Sequence, residues 1–168
     1  MENFKMSVRD LYFPKQKSIQ NPTNDFHWSL GAEPIYSDST QFFYAKYPVT
    51  GEEFWVFSGG TGSVYEDNYF SFLFSVPYLD QDLLECTYKL GVADWMHVTH
   101  VHSHSVRPGT VGVRIVDADE AELTIRLDRT KGIVTGDFKA TFKHIYRLAP
   151  IGTFKMTRTD VPALLINT

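Results

Sequence analysis

Residues 120–158 read EAELTIRLDRTKGIVTGDFKATFKHIYRLAPIGTFKMTR. Ala121, Leu123, Ile125 and Leu127 are apolar, and Glu120, Glu122, Thr124 and Arg126 between them are polar. That alternation is the period of a half-buried strand. Asp128-Arg-Thr-Lys-Gly132 opens on an Asp and closes on a Gly, as a hairpin loop does. Val134, Phe138, Ala140 and Phe142 then share one face, with Thr135, Asp137, Lys139, Thr141 and Lys143 on the other. Gly136, in the middle of this run, predicts a bulge or a close backbone approach. After a turn at Arg147-Leu-Ala-Pro150, Gly152, Phe154 and Met156 alternate with Thr153, Lys155 and Thr157. The stretch is an antiparallel meander with one oily and one wet face.

The same grammar extends outward. Phe70, Phe72, Phe74 and Val76 make a second clean strand that Pro77 ends, and Val111, Val113 and Ile115 make another. Tyr36–Tyr47 and Phe54–Phe57 read as a hairpin inside a sheet, and Phe26-His27-Trp28 as the start of a short strand. Residues 1–34 are loosely patterned; Phe4, Met6 and Val8 alternate with Lys5, Ser7 and Arg9 as a possible edge strand. Leu79–Leu84 is the best helical candidate, a turn or two at most. The expected fold is all-β, one domain over residues 1–168: an antiparallel β-sandwich or a partly closed barrel of about eight to ten strands with little helix. Its core should hold Phe70, Phe72, Phe74, Leu123, Ile125, Leu127, Phe138, Phe142 and Phe154.

The pattern Leu-Asp-x-x-x-Gly-x-Val-x-Gly-x-Phe over Leu127–Phe138, followed by Gly-x-Phe at Gly152–Phe154, resembles the C-terminal part of small all-β bacterial proteins of uncharacterised function. The resemblance implies the fold and carries no activity or site residue with it.

A chain of 168 residues suits one domain with a single substantial core. Its 13 Phe and 9 Tyr favour strands. A net charge of -4 argues against nucleic acid and anionic membranes as partners. Cys86 stands alone, so no intrachain disulfide forms. The N-terminus lacks the apolar core of a secretory signal and no run is long enough for a membrane helix. Together these point to the cytoplasm, with prior removal of a signal peptide left open.

Four of the six histidines fall in Trp95-Met-His-Val-Thr-His-Val-His-Ser-His-Ser105. On a strand, His100, His102 and His104 point one way and His97 the other. Neighbours on one face have Cα atoms roughly 6.5 Å apart and can share an ion, whereas His100 and His104, roughly 13 Å apart, cannot. A site would therefore use His100/His102 or His102/His104, with His144 arriving from the inward face of the Val134–Phe142 strand. The metal expected there is Zn²⁺ or another borderline divalent ion. His-x-His on a strand resembles the first motif of cupin metal sites, but Ser105, Val106, Arg107 and Pro108 stand where that motif wants a Glu. Strand His-x-His also resembles carbonic-anhydrase-like zinc sites. The plainer reading is a polar strand face. In either case, mutual repulsion of protonated rings should depress their pKa values and make stability fall in acid.

No catalytic set emerges. Ser58-Gly-Gly-Thr-Gly-Ser63 lacks the Lys-Ser/Thr and the helix start of a phosphate loop and reads as a flexible loop. The acidic run Asp117–Glu122 reads as a hairpin turn, and Cys86 as a quiet thiol. The expected function is a non-enzymatic binding or structural domain for a protein partner or a small apolar ligand, with metal binding or metal-dependent catalysis as the alternative. A closed, lined barrel would favour the small ligand, and an exposed aromatic patch a protein partner. Trp28, Trp55 or Trp95, if exposed, could also face a sugar.

Overall fold

The computed structural model describes residues 24–92 and 95–160. The edge strand expected at Phe4–Val8 lies outside them. Among the described residues, eleven strands run in chain order: β1 (Asp25–Ser29), β2 (Pro34–Tyr36), β3 (Ser39–Lys46), β4 (Glu53–Thr61), β5 (Phe70–Pro77), β6 (Leu83–Lys89), β7 (His97–Arg107), β8 (Thr110–Asp117), β9 (Glu120–Asp128), β10 (Ile133–Thr141) and β11 (Ile151–Thr157). They form two antiparallel sheets, β2-β1-β11-β10-β9-β6 and β3-β4-β5-β7-β8, neither closed on itself. The fold is a β-sandwich. No helix among the described residues is long and apolar enough to cross a membrane.

The meander at residues 120–158 is β9, β10 and β11, in register from Glu120↔Thr141 to Ile133↔Thr157. All nine residues expected in the core are buried. Rings from the two sheets meet across the sandwich. Phe138 of β10 lies 4.6 Å from Phe74 and 5.8 Å from Phe72 of β5, centroid to centroid. Trp28 of β1 lies 5.2 Å from Phe72, and Phe154 of β11 lies 5.8 Å from Phe57 of β4.

Gly136 is a close approach and not a bulge, because β10 pairs continuously on both sides. A Cβ there would stand 2.4 Å from the Thr124 carbonyl and 2.6 Å from the Phe154 ring that roofs it. Phe138 roofs Gly152 on the next strand in the same way, 2.5 Å from a Cβ placed there. Each large ring thus occupies the space its cross-strand glycine leaves. Gly136→Ala should destabilise the domain by about 1–3 kcal/mol, since a backbone carbonyl cannot step aside as a side chain can. A urea midpoint that drops with an unchanged slope would bear this out, and an unmoved midpoint would refute it.

Several expectations need correction. Leu79–Leu84 is not helical: residues 79–82 form an irregular connection and Leu83 opens edge strand β6. Arg129, from the β9–β10 turn, holds that connection by donating to the Tyr78 hydroxyl and to the Asp80 and Asp82 carboxylates. Among the described residues the short helical turn is instead a 3-10 turn at Val64–Glu66, capped by the Ser63 hydroxyl. Residues 58–61 of the glycine-rich run belong to β4, where a Cβ at Gly59 would meet the Phe26 ring at 2.2 Å. The Ser39–Lys46/Glu53–Thr61 hairpin exists, but β3 is an edge. Its outer side is covered by the chain after β11: Thr159 N–H donates to the Phe42 carbonyl and the Asp160 carboxylate accepts from Tyr44 N–H. The acidic run is no hairpin either. It carries the chain from β8 in one sheet to β9 in the other, with the Asp119 carboxylate accepting from Lys143 N–H.

Candidate functional site

The two outer faces of the sandwich differ in chemistry. Outward positions of the six-stranded sheet carry Glu85, Lys89, Glu122, Arg126, Asp137, Lys139 and Lys155, with cross-strand ion pairs Lys89–Glu122, Lys139–Glu122 and Arg126–Glu85 at 3.3 Å each. Outward positions of the five-stranded sheet follow from the inward rings of Phe42, Trp55, Phe57, Phe72 and Phe74 by alternation. They include Phe43, Val56, Leu73, Val101, Val113 and Ile115, interspersed with Ser and Thr; of these Ile115 is 66% and Val113 48% exposed.

At the corner of that sparsely charged face, beyond the ends of β3 and β4, lies an open hollow of about 350 Å³ lined by Tyr47, Val49, Glu52, Phe54, Trp95 and His97 among others. Phe54 is its buried floor. The Tyr47 ring stands 5.4 Å from it at 76°, and the His97 ring 6.5 Å from it at 65°. Trp95 is 68% exposed, whereas Trp28 and Trp55 are fully buried. Glu52 accepts a 2.9 Å hydrogen bond from the Thr50 hydroxyl. Glu53, which alternates to the inner side, accepts from the Tyr44 hydroxyl, and that bond is the main cause of pushing the phenol up to about 12. Glu52 is therefore the carboxylate left beside the hollow.

The histidine run is strand β7, and His100, His102 and His104 share its inner face while His97 lies on the outer one. His100 and His102 are 0% and 1% exposed. Their Nδ1 atoms are 3.4 Å apart, so one ring can donate to the other. Phe70 stacks on His100 at 5.4 Å, Phe142 meets it edge-on at 4.8 Å, and Tyr146 meets His102 at 4.8 Å. Neither Nε2 has a hydrogen-bond partner among the described residues. Burial pulls His100 down to about 3, with His102 as the lesser cause; burial, then the charge of Arg114 and that of His104, pull His102 down to about 4.

Of the candidate metal ligands, His100 and His102 come together, and neither His104 nor His144 joins them. His104 follows the point where β5 stops pairing, opposite His102, so it leaves the core on the projecting β7–β8 hairpin and lies beside Gly112. His144 does not point inward. Strand β10 ends at Thr141 and the chain bends at 144–146, so the alternation that would have aimed His144 inward stops before reaching it; Ile145 within the bend takes a left-handed φ of 65°. The His144 side chain is 81% exposed and lies 3.8 Å from the Asp119 carboxylate, while Tyr146 turns back onto the buried pair. Among the described residues no group of three or more His, Cys, Asp or Glu is gathered to hold an ion. The buried pair offers two neutral nitrogens, whereas an ion enclosed among aromatic rings needs charged or additional ligands to offset its desolvation.

Fold and surface together define a two-sheet, all-β domain with one outer face rich in charge and one that carries little, Asp117 at the end of β8 among it. No protein-family model, curated protein or solved structure matches the chain.

The hollow is what the sequence reading missed. Its residues come from the end of β3, the start of β4 and the segment before β7, and only the pairing of β4 and β7 on either side of β5 brings them together. The signal available in the sequence was Trp95 itself, followed by a strand whose first outward residue is an aromatic-compatible His97.

Proposed function

We propose that the protein is a non-enzymatic binding domain that engages its ligand from outside, at the Tyr47–Trp95 corner of the five-stranded sheet. One observation carries the reading: Trp95 and Tyr47 stand exposed around a walled hollow while the other two tryptophans are packed into the core. Holding large aromatic rings in water at one place, at the edge of a sparsely charged face, is the signature of an interaction site. The sandwich interior favours no ligand, because rings of both sheets fill it.

The test follows the Trp95 indole N–H by NMR during titration with saccharides, neutral apolar fragments and small organic cations. Shifts confined to Tyr47, Phe54, Trp95 and His97 are expected, and those of Tyr47, Phe54 and His97 should be lost in Trp95→Ala. The substitution is at an exposed position and should change stability by no more than about 0.5 kcal/mol. Shifts that map to the Glu122–Lys139 face, or none with any probe class, would overturn the proposal.

A further inference from the structure

We infer that the hollow selects an alkylammonium cation, an inference that rests on the binding site proposed above. The walls supply two kinds of attraction suited to that chemistry and to few others. Tyr47, Phe54 and Trp95 are π systems, and a cation within about 6 Å of a ring centroid is drawn to its negative face. Tyr47 and His97 both stand steeply to the Phe54 floor, at 76° and 65°, so rings border the hollow on more than one side. Glu52 adds a formal negative charge at the rim, and no Lys or Arg lies among the described residues that line the hollow. Lys46, next in the chain to Tyr47, alternates to the inner side, where it pairs in register with Glu53. The whole chain carries a net charge of -4, so its long-range field also favours a cationic ligand.

An alkylated ammonium fits better than a compact metal ion. Its carbons match the aromatic walls, its charge is spread and cheaply desolvated, and about 350 Å³ is ample for such a head group. The group could be a free quaternary amine or the methylated lysine side chain of another protein; the recognising chemistry is the same.

The experiment compares choline with dimethylbutanol, the neutral isostere in which carbon replaces the charged nitrogen, using the Trp95 indole N–H shift together with the ring resonances of Tyr47 and His97, which also read the variant that lacks Trp95. Choline should bind at least about tenfold more tightly, and Trp95→Ala and Glu52→Gln should each weaken it about tenfold. Glu52 is exposed, so the folded state should survive its substitution. A trimethyl-lysine peptide that outbinds choline assigns the cation to a protein partner, and equal binding assigns it to a free amine; both support the inference. Equal affinity for choline and dimethylbutanol overturns the cation and leaves the hollow as a neutral binding site. No response to any probe overturns both.

Discussion

Phe138→Ala should cost about 3–5 kcal/mol, a large part of the stability of an ordinary domain. The ring is 2% exposed and joins the two sheets: it lies 4.6 Å from Phe74 and 5.8 Å from Phe72 of one sheet, and 5.6 Å from Phe26 of its own. It also roofs Gly152, so truncation opens a cavity beside a residue that has no side chain to move into it. The neighbours are themselves large rings held by rings, which limits how far the site can collapse, and incomplete collapse is what raises the cost of such substitutions. Equilibrium denaturation should show the loss, with Phe138→Leu markedly milder. A loss under about 1 kcal/mol would mean that the sheets are not coupled through this ring.

Acid should unfold the domain earlier than its carboxylates demand. His100 and His102 titrate near 3 and 4 in the folded chain, burial being the first cause in both, against about 6.5 when unfolded. The unfolded chain therefore binds more protons, and the direction follows: stability is intact above about pH 6.5 and falls as pH drops toward the folded values. By about pH 5 each ring should have withdrawn about 2 kcal/mol, or about 4 kcal/mol for the pair. The carboxylates act later. Glu122, held down by Lys89 and Lys139, and Asp128, held down by the Lys131 N–H, lose their contribution only as pH falls through and below the ordinary carboxylate range. Thermal melting from about pH 8 to pH 5 separates the two, because His100→Gln/His102→Gln should be less stable at neutral pH yet nearly flat across that window. Parallel slopes for wild type and variant would show that the pair does not carry the acid sensitivity.

The sequence expectation had the sign of this effect and ranked its causes differently. Alternation put His100 and His102 on one face, which suggested repulsion between rings; it could not say that the face was the interior, where Phe70, Phe142 and Tyr146 enclose them. The meander was readable for a related reason. In β9–β11 each inward position is apolar or a glycine under a ring, and Asp128 and Gly132 mark the turn chemically, with Gly132 at φ 64°. Edge strand β6 lacked that contrast, since Leu83 is 47% exposed and the Leu79/Leu83/Leu84 spacing imitates a helix face. His144 was misplaced because β10 ends at Thr141 and the chain bends at 144–146, with no Gly, Pro or Asn there to announce the bend and its left-handed Ile145. The aromatic hollow is assembled by sheet pairing across β5, to which no local pattern is sensitive.

The pairing of β1 with β11 has a consequence for biosynthesis. Asp25–Ser29 lies beside Ile151–Thr157, so near-opposite ends of the described chain are neighbours in the middle of one sheet. During synthesis, Phe26 and Trp28 leave the ribosome long before the strand that will flank them exists. The six-stranded sheet cannot assemble vectorially; its N-terminal ribbon must wait for β11 to emerge, with one edge of the strand that carries Phe26 and Trp28 unpaired until then. Such distant pairing places folding in the millisecond-to-second range typical of sandwiches, and a nascent chain stalled before Ile151 is the form most in need of a chaperone.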